Sequence, residues 1–188
     1  MDMLDQVAEE GCLWLLITGG EPLIRKDFTD ILASAKKKGF LITLFTNGTL
    51  LTGERADYLA EWSPLSIEIS LYGASSDTHD RITGVPGACR NTLKGIELIL
   101  ERKLPLELKT VVMTRNRHEL FQMKELAEGL GLKFRLDPVI NPRLDGSMAP
   151  CNFCLGLTER SSSLSGVLHA GMSERGISLD GRSSGVVI

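Results

Sequence analysis

Short runs of contiguous apolar residues alternate along this chain with longer stretches in which apolar residues recur every three or four positions. Runs of the first kind read as buried strands, and stretches of the second kind as amphipathic helices. Strands are predicted at about 13–18, 40–46, 65–71, 106–113 and 133–140. The clearest helix is predicted over Asp27–Lys38, where Phe28, Ile31, Leu32 and Ala35 form the apolar stripe. Asp27 at its start, Lys36 to Lys38 at its end and Gly39 beyond agree with the helix dipole, and the lysines read as a solvated helix end. A shorter helix is predicted over 53–62, before Pro64, and another over 88–102 with Leu93, Ile96, Ile99 and Leu100 inward. A last one runs from Asn116 to Gly131, with Asn116 as N-cap and Glu119 as its capping-box partner. Residues 2–11 read as the end of a helix closed by Gly11, and 72–87 as a long polar loop containing Asp80 and Arg81, which pair, face a substrate or are equally well simply solvated.

Strand, helix, strand, helix in repetition is an α/β pattern. It predicts a parallel sheet with right-handed crossovers, either open or part of a (β/α) barrel. In such a fold every strand-to-helix loop opens on one rim, where ligands bind. The stretch LWLLITGGEPLI at Leu13–Ile24 is the most informative of these strand ends. Gly19 and Gly20 allow close approach to the backbone, and Pro22 turns the chain out of the strand. Strand-end carbonyls and the Glu21 carboxylate suit a cation such as an ammonium group, and not a phosphate, which wants N–H donors. Thr46, Asn47 and Ser70 end the next two strands on the same rim. Lys109, on the fourth strand, is a further candidate to close the site.

Composition narrows the class. The 188 residues are 43% hydrophobic, enough for a sizeable core, and the net charge of -3 argues against nucleic acid as a partner. No apolar run approaches a membrane span, no secretory signal is visible, and four scattered cysteines make no disulfide framework, so a cytoplasmic location is expected. From Asn141 the periodic pattern fails. Of the 33 residues from Gly156 to Ile188, eight are Ser and six are Gly, which divides the chain into a domain over 1–146 and a poorly ordered tail or second-domain remnant over 147–188.

TGGEPL after a strand, FTNGTLL one βα unit later and SLYG one unit after that resemble the radical S-adenosylmethionine (radical SAM) superfamily. DRITGVPGAC, LKTVVM and DPVINPRLDG are similar to its maturase branch, whose members carry a C-terminal auxiliary-cluster (SPASM) domain and modify peptides, enzymes or cofactor precursors. The resemblance implies a partial (β/α) barrel, S-adenosylmethionine and a [4Fe–4S] cluster as cofactors, and chemistry through a 5′-deoxyadenosyl radical. It implies a peptide or small-protein substrate and an electron donor as partners. It implies that Gly19, Gly20, Glu21 and Pro22 meet the methionyl ammonium, that Thr46 and Asn47 lie beside the methionine carboxylate, and that Ser70 reaches the ribose or carboxylate.

One departure matters. The family's cluster is held by C-x₃-C-x₂-C upstream of GGEP, and soft thiolates are what such a cluster requires. Here Cys12 stands alone at the entry of its strand, and Cys151 and Cys154 follow GGEP. The chain is therefore expected to lack the first βα unit and the cluster ligands, to leave the Leu13 strand as an exposed edge, and to be inactive as written. Cys151 and Cys154 are half a metal site at most, with His169 the one later candidate donor besides carboxylates. AGMSERGISLDG at Ala170–Gly181 has the spacing of an auxiliary-domain entry, with Leu168 where its cysteine is expected. A non-catalytic peptide- or partner-binding module, docking through the open edge strand, is the alternative. A (β/α) enzyme using Glu21 as a base is a third reading, disfavoured because no His, Lys or second carboxylate pairs with it in sequence.

Overall fold

The computed structural model describes residues 3–143, 145–156 and 186–187. Helices and strands alternate as α1 (Met3–Glu9), β1 (Trp14–Ile17), α2 (Phe28–Lys37), β2 (Leu41–Thr46), α3 (Gly53–Glu61), β3 (Ser66–Ser70), α4 (Ser76–Thr83), α5 (Ala88–Glu101), β4 (Leu106–Val111), α6 (Leu120–Gly129), β5 (Lys133–Asp137) and β6 (Val186–Val187). The strand order is β5-β4-β3-β2-β1-β6. Strands β1 to β5 form the parallel α/β sheet expected of a partial barrel, with β1 pairing β2 and β2 pairing β3 in parallel. The described residues fall into two compact units, one holding 3–70, 90–107 and β6, the other 71–89 and the described residues from 108 to 156.

In the first unit the alternation along β2 sends Ile42, Leu44 and Thr46 inward. Registered neighbours carry the same face onward: Leu15 and Ile17 lie beside Ile42 and Leu44, and Ile67 and Ile69 beside Leu44 and Thr46. Phe28, Leu32 and Ala35 of α2, Leu59 of α3 and Ile96 and Ile99 of α5 are also buried. Each fully buried aliphatic side chain contributes about 1.5–3 kcal/mol of hydrophobic stabilisation. Gly11, with φ +78°, closes α1 as expected, Cys12 N donating to Val7 O at 3.2 Å.

Several expectations need correction. The β1 edge is not open: β6 pairs with it in parallel, Leu15 beside Val186 and Leu16 beside Val187. Asp27 does stand at the start of α2, but its carboxylate makes no cap hydrogen bond and takes Arg25 Nε and Nη2 at 2.9 and 2.7 Å. Nor are the lysines at the end of α2 only solvated, since Lys38 bonds Asp5 of α1 and the Lys37 ammonium lies 5.4 Å from the centre of the Trp62 ring.

In the second unit the long polar loop proves to contain α4. Ser75 caps it, its hydroxyl accepting from Thr78 N at 3.2 Å, and Gly84 closes it in the left-handed region at φ +71°. The Asp80 carboxylate accepts from Gly87 N at 2.5 Å and Cys89 N at 2.8 Å, and Arg81 pairs with Asp77 at 3.3 Å. Asn116 begins the 3₁₀ helix Arg117–Glu119 that leads into α6, but its side chain makes no cap hydrogen bond. It is fully buried, accepts from Met113 N at 2.8 Å, and donates to Thr110 Oγ1 and Val111 O. Of the tail read as a domain remnant, residues 157–185, with His169 and AGMSERGISLDG, lie outside the described residues.

Candidate functional site

The candidate rim is built in the first unit, where β1, β2 and β3 end side by side. Beyond β1 the chain passes Thr18 and enters Gly19 at φ +135°, a conformation that favours glycine. A side chain added at Gly19 or at Gly20 would meet nothing within 4 Å, and both residues are exposed. The two peptides therefore line open space, as an approaching ligand requires. Glu21 follows in an extended conformation and caps a short 3₁₀ helix, Pro22–Ile24, whose first residue needs no N–H partner.

The Glu21 carboxylate turns back across the sheet. Its Oε1 accepts from Leu23 N at 3.0 Å and from the Thr46 hydroxyl at 2.8 Å, while Oε2 lies 2.9 Å from that same hydroxyl and accepts from Asn47 N at 2.7 Å. The Thr46 hydroxyl, 4% exposed, also accepts from Gly48 N at 3.1 Å. The next peptide is fixed at its other end, because Thr92 of α5, fully buried, donates to Asn47 O at 2.9 Å. Asn47 Oδ1 accepts from the amide and hydroxyl of Thr49 at 2.9 and 2.7 Å. A side chain at Gly95 would stand 2.3 Å from Gly48 O, so α5 seats on this turn only because residue 95 is glycine.

Three donors, all neutral, thus serve a carboxylate that can accept about four hydrogen bonds. Among the described residues Glu21 forms no ion pair, so its negative charge is only half-buried and meets no cation of the chain. Glu21, Thr46 and Asn47 come together. Ser70 ends the adjacent strand but follows Ile69, which registers with Thr46, so its side chain leaves the opposite face of the sheet. Pro22 is buried and shapes the turn. Thr92 and Gly95 were not legible as site residues, since a helical Thr and Gly carry no signal until the packing partner is known.

The second unit holds a separate polar cluster. The Glu119 carboxylate accepts from Ala74 N, Ser75 N, Ser75 Oγ and Thr78 Oγ1 at 2.8, 3.0, 2.6 and 2.6 Å. It caps α4 and not its own helix, which corrects the capping-box expectation. Burial pushes its carboxyl up, but the Ser75 and Thr78 hydroxyls and the Ser75 and Ala74 amides outweigh that and hold it at about 2. His79, 2% exposed, accepts from Tyr72 N through Nδ1 at 3.3 Å. Burial lowers its pKa, with Asp80 opposing, which favours a neutral ring protonated on Nε2. Lys109 stands half-buried on β4 in this unit, its carbonyl accepting from Leu71 N at 2.8 Å.

The donor set was tested against the two cofactors that the resemblance implies. The open glycine cradle and the cation-free carboxylate fit the amino end of S-adenosylmethionine. The cysteines do not fit a cluster: Cys12 donates to Trp14 O at 3.2 Å, Cys89 is buried, and among the described residues no three His, Cys, Asp or Glu side chains converge as a ligand set.

A parallel α/β unit whose adjacent strands end at a Gly-Gly-Glu-Pro rim is the architecture of a partial (β/α) barrel. The chain belongs to the radical SAM superfamily, whose sequence model matches residues 1–127. It is 39% identical over 128 residues to the AdoMet-dependent heme synthase of Methanosarcina barkeri, covering 68% of this chain and 37% of that protein. It is 33% identical over 129 residues to the PqqA peptide cyclase of Granulibacter bethesdensis, covering 69% and 34%. The fold matches that of anSMEcpe with bound AdoMet and Cp18Cys peptide at a TM-score of 0.72 and 18% identity, over 89% of this chain and 50% of that one. The chain spans about a third of the length of the curated relatives it matches. Among the described residues no helix is long and apolar enough to cross a membrane.

Proposed function

We propose that the rim from Gly19 to Asn47, with Ser70, is the S-adenosylmethionine-binding part of a maturase that modifies a peptide or a cofactor precursor. What carries the reading is the Glu21 carboxylate: positioned by three neutral donors, facing no cation of the described chain, and next to two glycines with open space before them. An ammonium group brings three N–H donors and a positive charge. The carboxylate's remaining lone pair and the strand-end carbonyls are acceptors of the right kind, and a charge-assisted hydrogen bond is worth about 1.5–3 kcal/mol. Asn47 and Ser70 would serve the methionine carboxylate or the ribose. The heme synthase and PqqA cyclase relatives support a peptide or cofactor precursor as the substrate class.

The 188 residues contain no C-x₃-C-x₂-C, and we derive no step through a cluster. On this reading the chain binds and orients the nucleoside, and alone does not cleave it.

Calorimetric titration of the chain tests the proposal. S-adenosylmethionine should bind at least tenfold more tightly than 5′-methylthioadenosine, which has no amino acid. Glu21→Gln should weaken S-adenosylmethionine by about 10–100-fold, the equivalent of one charge-assisted bond, and leave methylthioadenosine unchanged. Equal affinity for the two nucleosides, or an unaltered Glu21→Gln variant, would sink the assignment.

A further inference from the structure

We propose that Cys151 and Cys154 form a reversible redox site, a vicinal dithiol that closes to an intrachain disulfide by exchange with a low-molecular-weight disulfide. The two cysteines stand one turn apart on the 3₁₀ helix Ala149–Phe153 and its C-cap, and Cys154 N donates to Cys151 O at 3.0 Å. Three residues per turn bring side chains i and i+3 of such a helix into eclipse, with a rise of about 6 Å between them. That separation falls inside the range of roughly 4.4–6.8 Å that disulfides span between Cα atoms. Both sulfurs accordingly converge on one acceptor, Ile140 O, at 3.7 Å from Cys151 Sγ and 3.9 Å from Cys154 Sγ.

The turn is held from outside. Thr114 N donates to Phe153 O at 3.0 Å, and the Arg115 guanidinium lies 4.2 Å from the centre of the Phe153 ring. Both cysteines are half-exposed, so a small disulfide reaches them, whereas Cys89 is buried. Among the described residues no third His, Cys, Asp or Glu converges on the pair. Closure costs Ile140 O only two weak S–H donors.

The exchange balances without a further reagent. One cysteine thiolate attacks the small disulfide, whose S–S bond breaks; a mixed disulfide forms, and one small thiol leaves with the proton. The second cysteine sulfur then attacks the mixed disulfide, forming the intrachain S–S bond and releasing a second small thiol. Two protein thiols are oxidised, and one small disulfide is reduced to two thiols. Burial, and the neighbouring Cys154 sulfur, push the Cys151 thiol above its ordinary value.

The probe is glutathione. The full chain is equilibrated in reduced and oxidised glutathione mixtures, quenched with acid, alkylated and read by peptide mass spectrometry. A synthetic peptide spanning 147–156 is treated alongside as an unstructured reference. The equilibrium constant for disulfide formation is expected to exceed that of the peptide about tenfold, because the turn already holds the sulfurs together. Cys151→Ser and Cys154→Ser should each stop at the mixed disulfide. A constant no higher than that of the peptide, or a mixed disulfide that persists in the unaltered chain, overturns the proposal.

Discussion

The Glu119 carboxylate offers the sharpest test of how the second unit is held together. It accepts four hydrogen bonds from the first turn of α4 and the residues before it, and its side chain is only 13% exposed. Its pKa falls from an ordinary 4.5 to about 2 on folding. A folded-state value below the unfolded one means that the stabilisation is complete above about pH 4.5 and is lost as pH falls towards 2. At about 1.36 kcal/mol per pH unit the ceiling is about 3.4 kcal/mol, and residual solvent screening brings the expectation to about 2–3 kcal/mol. Glu119→Gln removes the titration while keeping the shape. The two hydroxyls can rotate to accept from the new amide nitrogen, and the remaining oxygen still takes the two backbone N–H groups, so the variant should lose about 1–2 kcal/mol at pH 7. Urea unfolding at a series of pH values between 2 and 7 measures both effects. The parent should lose about 2–3 kcal/mol more than the variant between pH 5 and pH 2. Parallel stability profiles for the two proteins would refute the reasoning, whatever their absolute values.

Two further substitutions separate stability from binding in the first unit. Gly20→Ala adds a side chain into open space, so its melting temperature should match the parent within the equivalent of about 0.5 kcal/mol, while S-adenosylmethionine affinity in the same titration falls at least tenfold. Gly95→Ala drives a Cβ against Gly48 O and lifts α5 from the turn that Thr92 holds, which should cost about 1–3 kcal/mol in chemical denaturation.

The strands and helices that repeat the βα unit were legible because burial imposes period 2 or 3.6 on the sequence. Leu15, Ile42, Leu44, Ile67 and Ile69 announce themselves as core, and the glycines after α1 and α2 mark those helices' ends. The misreadings share another cause. Ser, Asp, Asn and Glu near a turn have several acceptors and donors within reach, and the tertiary partner decides among them. Helix α4 was hidden by polar composition, although Ser75 and Gly84 bracket it with ordinary capping signals. The sequence near Glu119 fits a capping box, but the free N-terminus of α4 offers four donors where its own helix offers one. The partner of β1 lies about 170 residues later in the chain, beyond any local pattern.

The string Thr-Gly-Gly-Glu-Pro divides its labour along the rim in a way that neither the glycines nor the carboxylate would achieve alone. Gly19 and Gly20 leave open space over the strand end, but an open peptide is a poor site unless its neighbours are rigid. Rigidity comes from Glu21, which ties the end of β1 to the end of β2 through Thr46 and the Asn47 amide, and from Thr92, which holds the carbonyl of the next peptide. Pro22 starts the 3₁₀ turn whose Leu23 amide fixes the carboxylate from below. The charge that does this clamping is still uncompensated among the described residues. A carboxylate spent on a structural tie with neutral donors keeps its attraction for a cation, and that cation then meets a surface that need not rearrange. The order of ties also predicts which loss is worse for stability: removing the Thr46 hydroxyl loosens the rim, while removing the Ser70 hydroxyl, on the other face of the sheet, leaves those ties in place.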